Sequence, residues 1–154
     1  MNKQENLIPP ENVFVFPNLD NEIGEIERVA KEFTKVSQKG FAQRFMRIAA
    51  ESKVRELSEE EWQTLDNTDS NDIQKGDWDK VAHHSVADGA HPRDWETLRN
   101  RMESGEPLDA PIILKSDNRL HLVSGNTRLM VAQALGVRPQ VLIVDMARLS
   151  VNSQ

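Results

Sequence analysis

The sequence predicts an α+β fold, a small mixed β-sheet carrying helices, preceded by an N-terminal helical hairpin. Three observations predict it. Alternating or continuous apolar runs at Ala110–Leu114, Arg119–Val123 and Val141–Val144 read as strands. A helical pattern separates the second of these from the third, so the last third runs helix, strand, strand, helix, strand. From Asn21 to about residue 53, by contrast, the apolar residues recur at helical spacing.

Taken in order, residues 1–20 form a polar arm with Pro9-Pro10, and the short run VFVF ahead of Pro17 is either a strand or an anchoring segment. Ile23, Ile26, Ala30, Phe33 and Val36 share one helical face, with acids in the first turn and lysines in the last, as the helix dipole favours. Gly40 is expected to break that helix. Phe41, Phe45, Ile48 and Ala49 define a second one, whose other face carries Arg44, Arg47 and Lys53, so that 21–57 reads as a helical hairpin. The main domain then spans 58–150, with the N-terminal part packed on it as one compact unit.

Ser58-Glu59-Glu60-Glu61 is a capping box opening a short helix with Trp62 and Leu65. DNTDSNDIQKGD is turn chemistry, and a short helix is expected around Trp78 to Val81. VAHHSVADGAH reads as loop. His91-Pro92 opens a helix with Trp95, Leu98 and Met102 on one side, ended by Gly105. The strands 110–114 and 119–123 make a hairpin about Ser116-Asp117-Asn118. A last helix runs from about Arg128 to Leu135 and stops at Gly136, ahead of the closing strand.

Length and composition bound the function. A chain of 154 residues suits one domain, and its 38% apolar fraction leaves room for arm and loop. Without cysteine there is no disulfide framework, thiolate metal site or thiol nucleophile. No apolar run approaches a membrane span, and MNKQENLIPPEN lacks the apolar core of a secretory signal. The expectation is a soluble, cytoplasmic protein. The net charge of −6 is unevenly spread. Residues 28–55 hold Arg28, Lys31, Lys35, Lys39, Arg44, Arg47, Lys53 and Arg55 against Glu32 and Glu51, whereas 56–79 is strongly acidic. These are either two solvated faces that attract each other or, for the first, a patch for phosphates. Overall acidity disfavours nucleic acid as the partner.

The segment Ser124-Gly125-Asn126-Thr127-Arg128 interrupts the apolar pattern between strand and helix. A helix start presents unpaired N–H groups and partial positive charge, glycine admits close approach, and arginine offers a fork for phosphate oxygens. An anion cradle and an ordinary helix cap both account for it.

From Trp95 to Asp145 the chain resembles the ParB/sulfiredoxin-like superfamily, in the order and spacing of WETLRNRMESG, LDAPIIL, HLVSGNTRLMVAQALG and VLIVD. The resemblance covers about a third of the chain. It implies that the G-x-x-R turn binds nucleotide phosphates through Gly125, Asn126, Thr127 and Arg128, next to Ser124. Pro111 and Ile112 would help form the base or sugar pocket. The implied ligand is ATP, ADP or CTP with Mg²⁺, and the implied activity is that of a phosphotransferase or NTPase. Ser124 stands where serine kinase-like members carry Asp, and a serine is a poor base unassisted. Sulfiredoxin's cysteine chemistry is excluded. Asn126 and Thr127 stand where partition proteins carry an acid and a second arginine.

Candidates for the remaining chemistry are His83 and His84, as base or phosphate ligand or as surface residues of a loop. His121 reads as a packed or exposed strand residue, and Glu22 and Glu25 as acids suited to a helix start. Asp66, Asp69 and Asp72 recur at every third residue but lack the glycine and final Glu of an EF-hand, so no metal site is assigned. Trp62, Trp78 and Trp95 are core anchors or base-stacking platforms. Two other functions stand beside the enzyme: a non-catalytic adaptor or inhibitor acting on a protein partner through its acidic surface, and a nucleic-acid-binding or nuclease module using the basic hairpin.

Overall fold

The computed structural model describes residues 14–33, 38–86 and 94–147. The fold is α+β with a small mixed sheet. Four strands make that sheet: β2 (Val54–Glu56), β4 (Ile112–Ser116), β5 (Arg119–Ser124) and β6 (Gln140–Asp145). Their order is β2-β6-β4-β5. Strands β4 and β6 run parallel, while β4 with β5 and β2 with β6 are antiparallel. A separate two-stranded parallel pair joins β1 (Phe14–Val15) to β3 (Leu108–Asp109).

The side-chain alternation of β4 decides the layers. Ile112 and Leu114 face one side, where Val123, Leu142 and Val144 meet Ile26, Val29 and Ala30 of α1 (Ile23–Phe33) and Phe45, Ile48 and Ala49 of α2 (Gln38–Glu51). Ile113 faces the other side, among Leu120, Leu122, Val141, Leu129 of α6 (Asn126–Leu135) and Trp62 of α3 (Glu59–Thr64). A third cluster, with Phe14, Val81, Met102, Leu108 and Met130, is shared by the β1–β3 pair, α4 (Trp78–Val86), α5 (Trp95–Glu103) and α6. Phe45 has no exposed surface, and burying such a side chain stabilises by roughly 1.5–3 kcal/mol.

Several boundaries differ from the sequence expectation. Gly40 lies inside the first turn of α2 rather than ending α1, since glycine's entropic cost in a helix is only roughly 0.5–1 kcal/mol. The VFVF run does pair as a strand at Phe14–Val15, with its partner in the LDAP connector. Strand β2 was not expected; its three residues show no alternation, and its Arg55 and Glu56 are exposed. It lies in the 21–57 segment yet forms the sheet's edge, so the sheet crosses the expected boundary at 57/58. Helix α4 runs on to Val86, and His83 and His84 are helical, not loop. Val81 and Ser85, one turn apart and both buried, carry the helix past Val81, with Ser85 Oγ donating to the Val81 carbonyl at 2.7 Å. Helix α5 begins at Trp95 behind an Asp94 cap; the expected start at His91-Pro92 falls outside the described residues, as do Val36 and His91. Helix α6 begins two residues before Arg128.

The Ser58 capping box forms as read: the Glu61 amide donates to Ser58 Oγ at 3.1 Å and the Ser58 amide to Glu61 Oε1 at 3.0 Å. Beyond β5 the chain segment at Asp66 bridges to His121. The Asp66 amide donates to Leu120 O at 2.9 Å, and the Leu122 amide donates to Asp66 O at 3.0 Å.

Candidate functional site

The bend at the C-terminal end of β5 borders a cleft of about 570 Å³. Glu25 and Arg28 of α1 form one wall, Asn67, Thr68 and Asp69 another, and Leu122 to Asn126 the base. Both walls are polar: α1 contributes an acid and a guanidinium, the loop a carboxylate with a hydroxyl and an amide.

Gly125 is the N-cap of α6, in the left-handed region at φ 109°, and no side chain caps this helix. The first intrahelical bond runs from the Leu129 amide to the Gly125 carbonyl at 2.9 Å. A Cβ at Gly125 would lie 2.6 Å from Pro111 Cβ and 2.8 Å from its Cα. Glycine is thus demanded twice, by the dihedral and by Pro111 beneath it. The sequence alone suggested ligand approach as the reason; the packing of Pro111 against Gly125 adds a second.

Asn126 lines the cleft, but its side chain is engaged with the facing loop. Its Oδ1 accepts from the Asp69 amide at 2.9 Å and from Thr68 Oγ1 at 2.8 Å, and its Nδ2 donates to Asp69 Oδ2 at 3.0 Å. Asn67, at φ 63°, reaches back across the cleft to donate from Nδ2 to the Leu122 carbonyl at 2.8 Å. These four bonds clamp the loop to the bend.

Arg128 is turned inward. Its Nη1 donates to the Asp109 carbonyl, its Nη2 donates to Ser124 Oγ at 3.1 Å, and Nη2 lies 3.9 Å from Glu22 Oε2. Ser124 Oγ donates in turn to Glu22 Oε1 at 2.7 Å. Only 16% of the arginine side chain and 14% of the Glu22 side chain are exposed. Burial pushes the Arg128 guanidinium below its ordinary pKa, with Glu22 and Asp109 opposing the shift. The cluster ties the 3-10 turn before α1, strand β3, the end of β5 and α6 to one point. Arg128 is therefore a structural ion pair beneath the bend and not one of the residues lining the cleft.

The remaining expected residues sit as follows. Thr127, Pro111 and Ile112 are buried and do not line the cleft; Ile112 pairs with Ser124 and Leu142 in the sheet. His83 is exposed on α4. His84 is half-buried, with Nε2 3.2 Å from Asp72 Oδ2 and Nδ1 3.7 Å from Asp69 Oδ1. His121 is buried and bonded through Nδ1 to Asp66 Oδ1, with Arg119 donating from Nε to Asp66 Oδ2 at 2.6 Å. Of the evenly spaced acids, Asp66 thus serves His121 and Arg119, while Asp69 and Asp72 share His84. Among the described residues no cluster of three or more His, Asp or Glu side chains could hold a metal ion. Trp62 is buried, its Nε1 donating to Ser70 Oγ at 2.9 Å; Trp78 and Trp95 stack at 5.6 Å with the Arg99 guanidinium over Trp78.

Sequence reasoning missed Arg28, Asn67, Thr68 and Asp69 as cleft residues. Arg28 donates from Nε to Glu25 Oε1 at 3.3 Å and from Nη2 to the Val123 carbonyl at 3.4 Å, one residue before the bend. Nothing in its helical spacing signals that contact, which spans 95 residues of chain. Asn67 does carry a signal, since asparagine tolerates the left-handed region.

Compared with protein-family models, with curated proteins and with solved structures, the chain matches none. Among the described residues no helix is long and apolar enough to cross a membrane.

Proposed function

We propose that the chain binds a nucleotide in the cleft beside the 124–126 bend and transfers or hydrolyses a phosphoryl group there. The observation that carries this reading is the meeting of an uncapped start of a ten-residue helix with the Arg28 guanidinium at one cleft. A helix start favours anions, and a guanidinium suits phosphate oxygens. The cleft volume falls in the range of small-molecule sites. The resemblance to ParB/sulfiredoxin-like proteins supplies the nucleotide class, as ATP, ADP or CTP.

Roles follow the positions. The bend would supply backbone to the phosphates, Arg28 a positive charge, and Arg128 the support beneath. This reassigns the cationic role from Arg128 to Arg28. Mg²⁺ needs only one or two protein carboxylates beside phosphate oxygens, and Glu25 and Asp69 are the carboxylates of the cleft. Bound Mg²⁺ would neutralise charge on the transferring group. Pro111 and Ile112 lie too deep to touch a base, so the base would rest against the outer wall.

Thermal unfolding with ATP, ADP, CTP and GTP plus Mg²⁺ tests the reading. At a hundredfold over Kd a ligand stabilises by about 2.7 kcal/mol, which for a domain of this size raises Tm by roughly 8 °C. Arg28→Ala is expected to abolish the shift while leaving the ligand-free Tm nearly unchanged. A flat response to all four nucleotides at millimolar concentration sinks the proposal.

A further inference from the structure

Two side-chain hydroxyls line the cleft, and they differ in what takes their protons. Thr68 Oγ1 has neutral oxygens as acceptors, Asn126 Oδ1 at 2.8 Å and Ser70 Oγ at 2.9 Å. Ser124 Oγ donates to a carboxylate oxygen, Glu22 Oε1, at 2.7 Å. Ser124 is only 7% exposed and still lines the cleft, so the surface it keeps is offered to whatever enters there. Glu22 does not line the cleft. Its charge is set behind the hydroxyl, out of the path of an incoming anion.

These surroundings suit a nucleophile. A serine hydroxyl is a weak nucleophile at its ordinary pKa and is activated by a base within hydrogen-bond reach, itself oriented by a third group. Arg128 is that third group: its Nη2 lies at an ion-pair distance of 3.9 Å from Glu22 Oε2 and donates to Ser124 Oγ at 3.1 Å. A guanidinium so placed stabilises the negative charge that grows on Oγ as the proton leaves. Ser124 ends β5, Gly125 turns the chain, and α6 opens at Asn126. A group bonded to Ser124 therefore lies next to the positive end of that helix.

We infer that Ser124 is the nucleophile of the cleft, with Glu22 as its base, and that the transferred phosphoryl group passes through a phosphoserine at this position. Ser124 Oγ attacks the terminal phosphorus of the bound nucleotide. The bond from that phosphorus to the bridging oxygen breaks, and the nucleotide leaves one phosphate shorter, keeping the electron pair. The hydroxyl proton passes to Glu22 Oε1, so one P–O bond replaces another with no change of oxidation state. The identity of the donor rests on the nucleotide reading of the cleft; the reactivity of Ser124 does not.

The test has two arms on the full chain. One incubates it with Mg²⁺ and ATP, ADP, CTP or GTP, quenches in acid and maps modified residues by mass spectrometry. The other uses diisopropyl fluorophosphate, which marks an activated serine without a nucleotide site. Both are expected to modify Ser124, and Ser124→Ala should lose both modifications. Glu22→Gln should slow them about a hundredfold. If circular dichroism shows that variant unfolded, Glu22→Asp takes its place, with an expected slowing of about tenfold. A nucleotide that raises Tm while neither reagent marks Ser124 overturns the inference and leaves the nucleotide reading standing. Labelling as fast in the folded Glu22 variant as in the unmodified chain overturns it too. Fluorophosphate on Ser124, dependent on Glu22, with no Tm shift and no phosphoserine from any nucleotide supports the nucleophile and removes the nucleotide.

Discussion

At the scale of single residues, Gly125 in the bend and Arg128 beneath it both carry stability. Gly125 combines φ 109° with a Pro111 carbon 2.6 Å from any added Cβ. Gly125→Ala is therefore expected to cost about 3 kcal/mol from the left-handed dihedral and the overpacking together. A denaturant titration should show a lower midpoint with an unchanged slope. Arg128 belongs to a buried pair, and removing one partner leaves the other charge stranded. Arg128→Met should cost about 3 kcal/mol, and most of that should return in the Arg128→Met, Glu22→Gln double variant. A double-mutant cycle that came out additive would show that the two groups do not interact. Arg28, a cleft residue on the outer face of α1, is predicted to be cheap to replace for folding, which separates the two roles experimentally.

At the scale of elements, the pair Arg55 and Glu61 joins β2 to the first turn of α3. Arg55 donates to both Glu61 oxygens, at 2.9 and 2.7 Å. That bond, with the Ser58 capping contacts, lowers the Glu61 pKa to about 2 from an ordinary 4.5. The lowered value fixes the sign: the contribution is fully present above about pH 4.5 and is lost as pH falls toward 2. Both partners are partly solvated, so it amounts to no more than about 1 kcal/mol. Acid unfolding followed by circular dichroism should show Glu61→Gln losing less stability than the unmodified chain across that window. Elements such as α3, β4, β5, α6 and β6 were legible because their signals are local: a capping box, a two-residue turn, a period of two, a glycine stop. The cap of α6, the end of α4 and the edge strand β2 were not. Their boundaries depend on Pro111, on the burial of the polar Ser85, and on β6, none of which the apolar periodicity encodes. The cleft was half legible for the same reason. Its base is one continuous segment, while its walls come from α1 and from a loop whose composition said only that it turns.

At the scale of the whole molecule, the N-terminal hairpin is part of the core. Ile26, Val29 and Phe45 cover one face of the sheet that Ile112, Leu114, Leu142 and Val144 present. A chain starting at residue 34 would lose β1 and uncover the part of that face under Ile26 and Val29, and we expect it to lose cooperative thermal unfolding, as read by circular dichroism. A sharp transition retained at the same temperature would show that α1 is dispensable. Of the two charged stretches seen in the sequence, Arg55 of the basic one pairs with Glu61 of the acidic one, and Arg138, outside both, contacts Glu56 and Glu59. Asp66 carries a wider consequence. By exchanging two backbone bonds with Leu120 and Leu122, it occupies the middle of the outer rim of β5. A foreign extended segment seeking to lengthen the sheet on that side finds its central ladder positions already filled. On the opposite rim only the three residues of β2 are offered, with a charged Arg55 among them. The four-stranded sheet thus offers an incoming strand little free edge on either margin, and short or occupied edges of this kind limit strand-to-strand association.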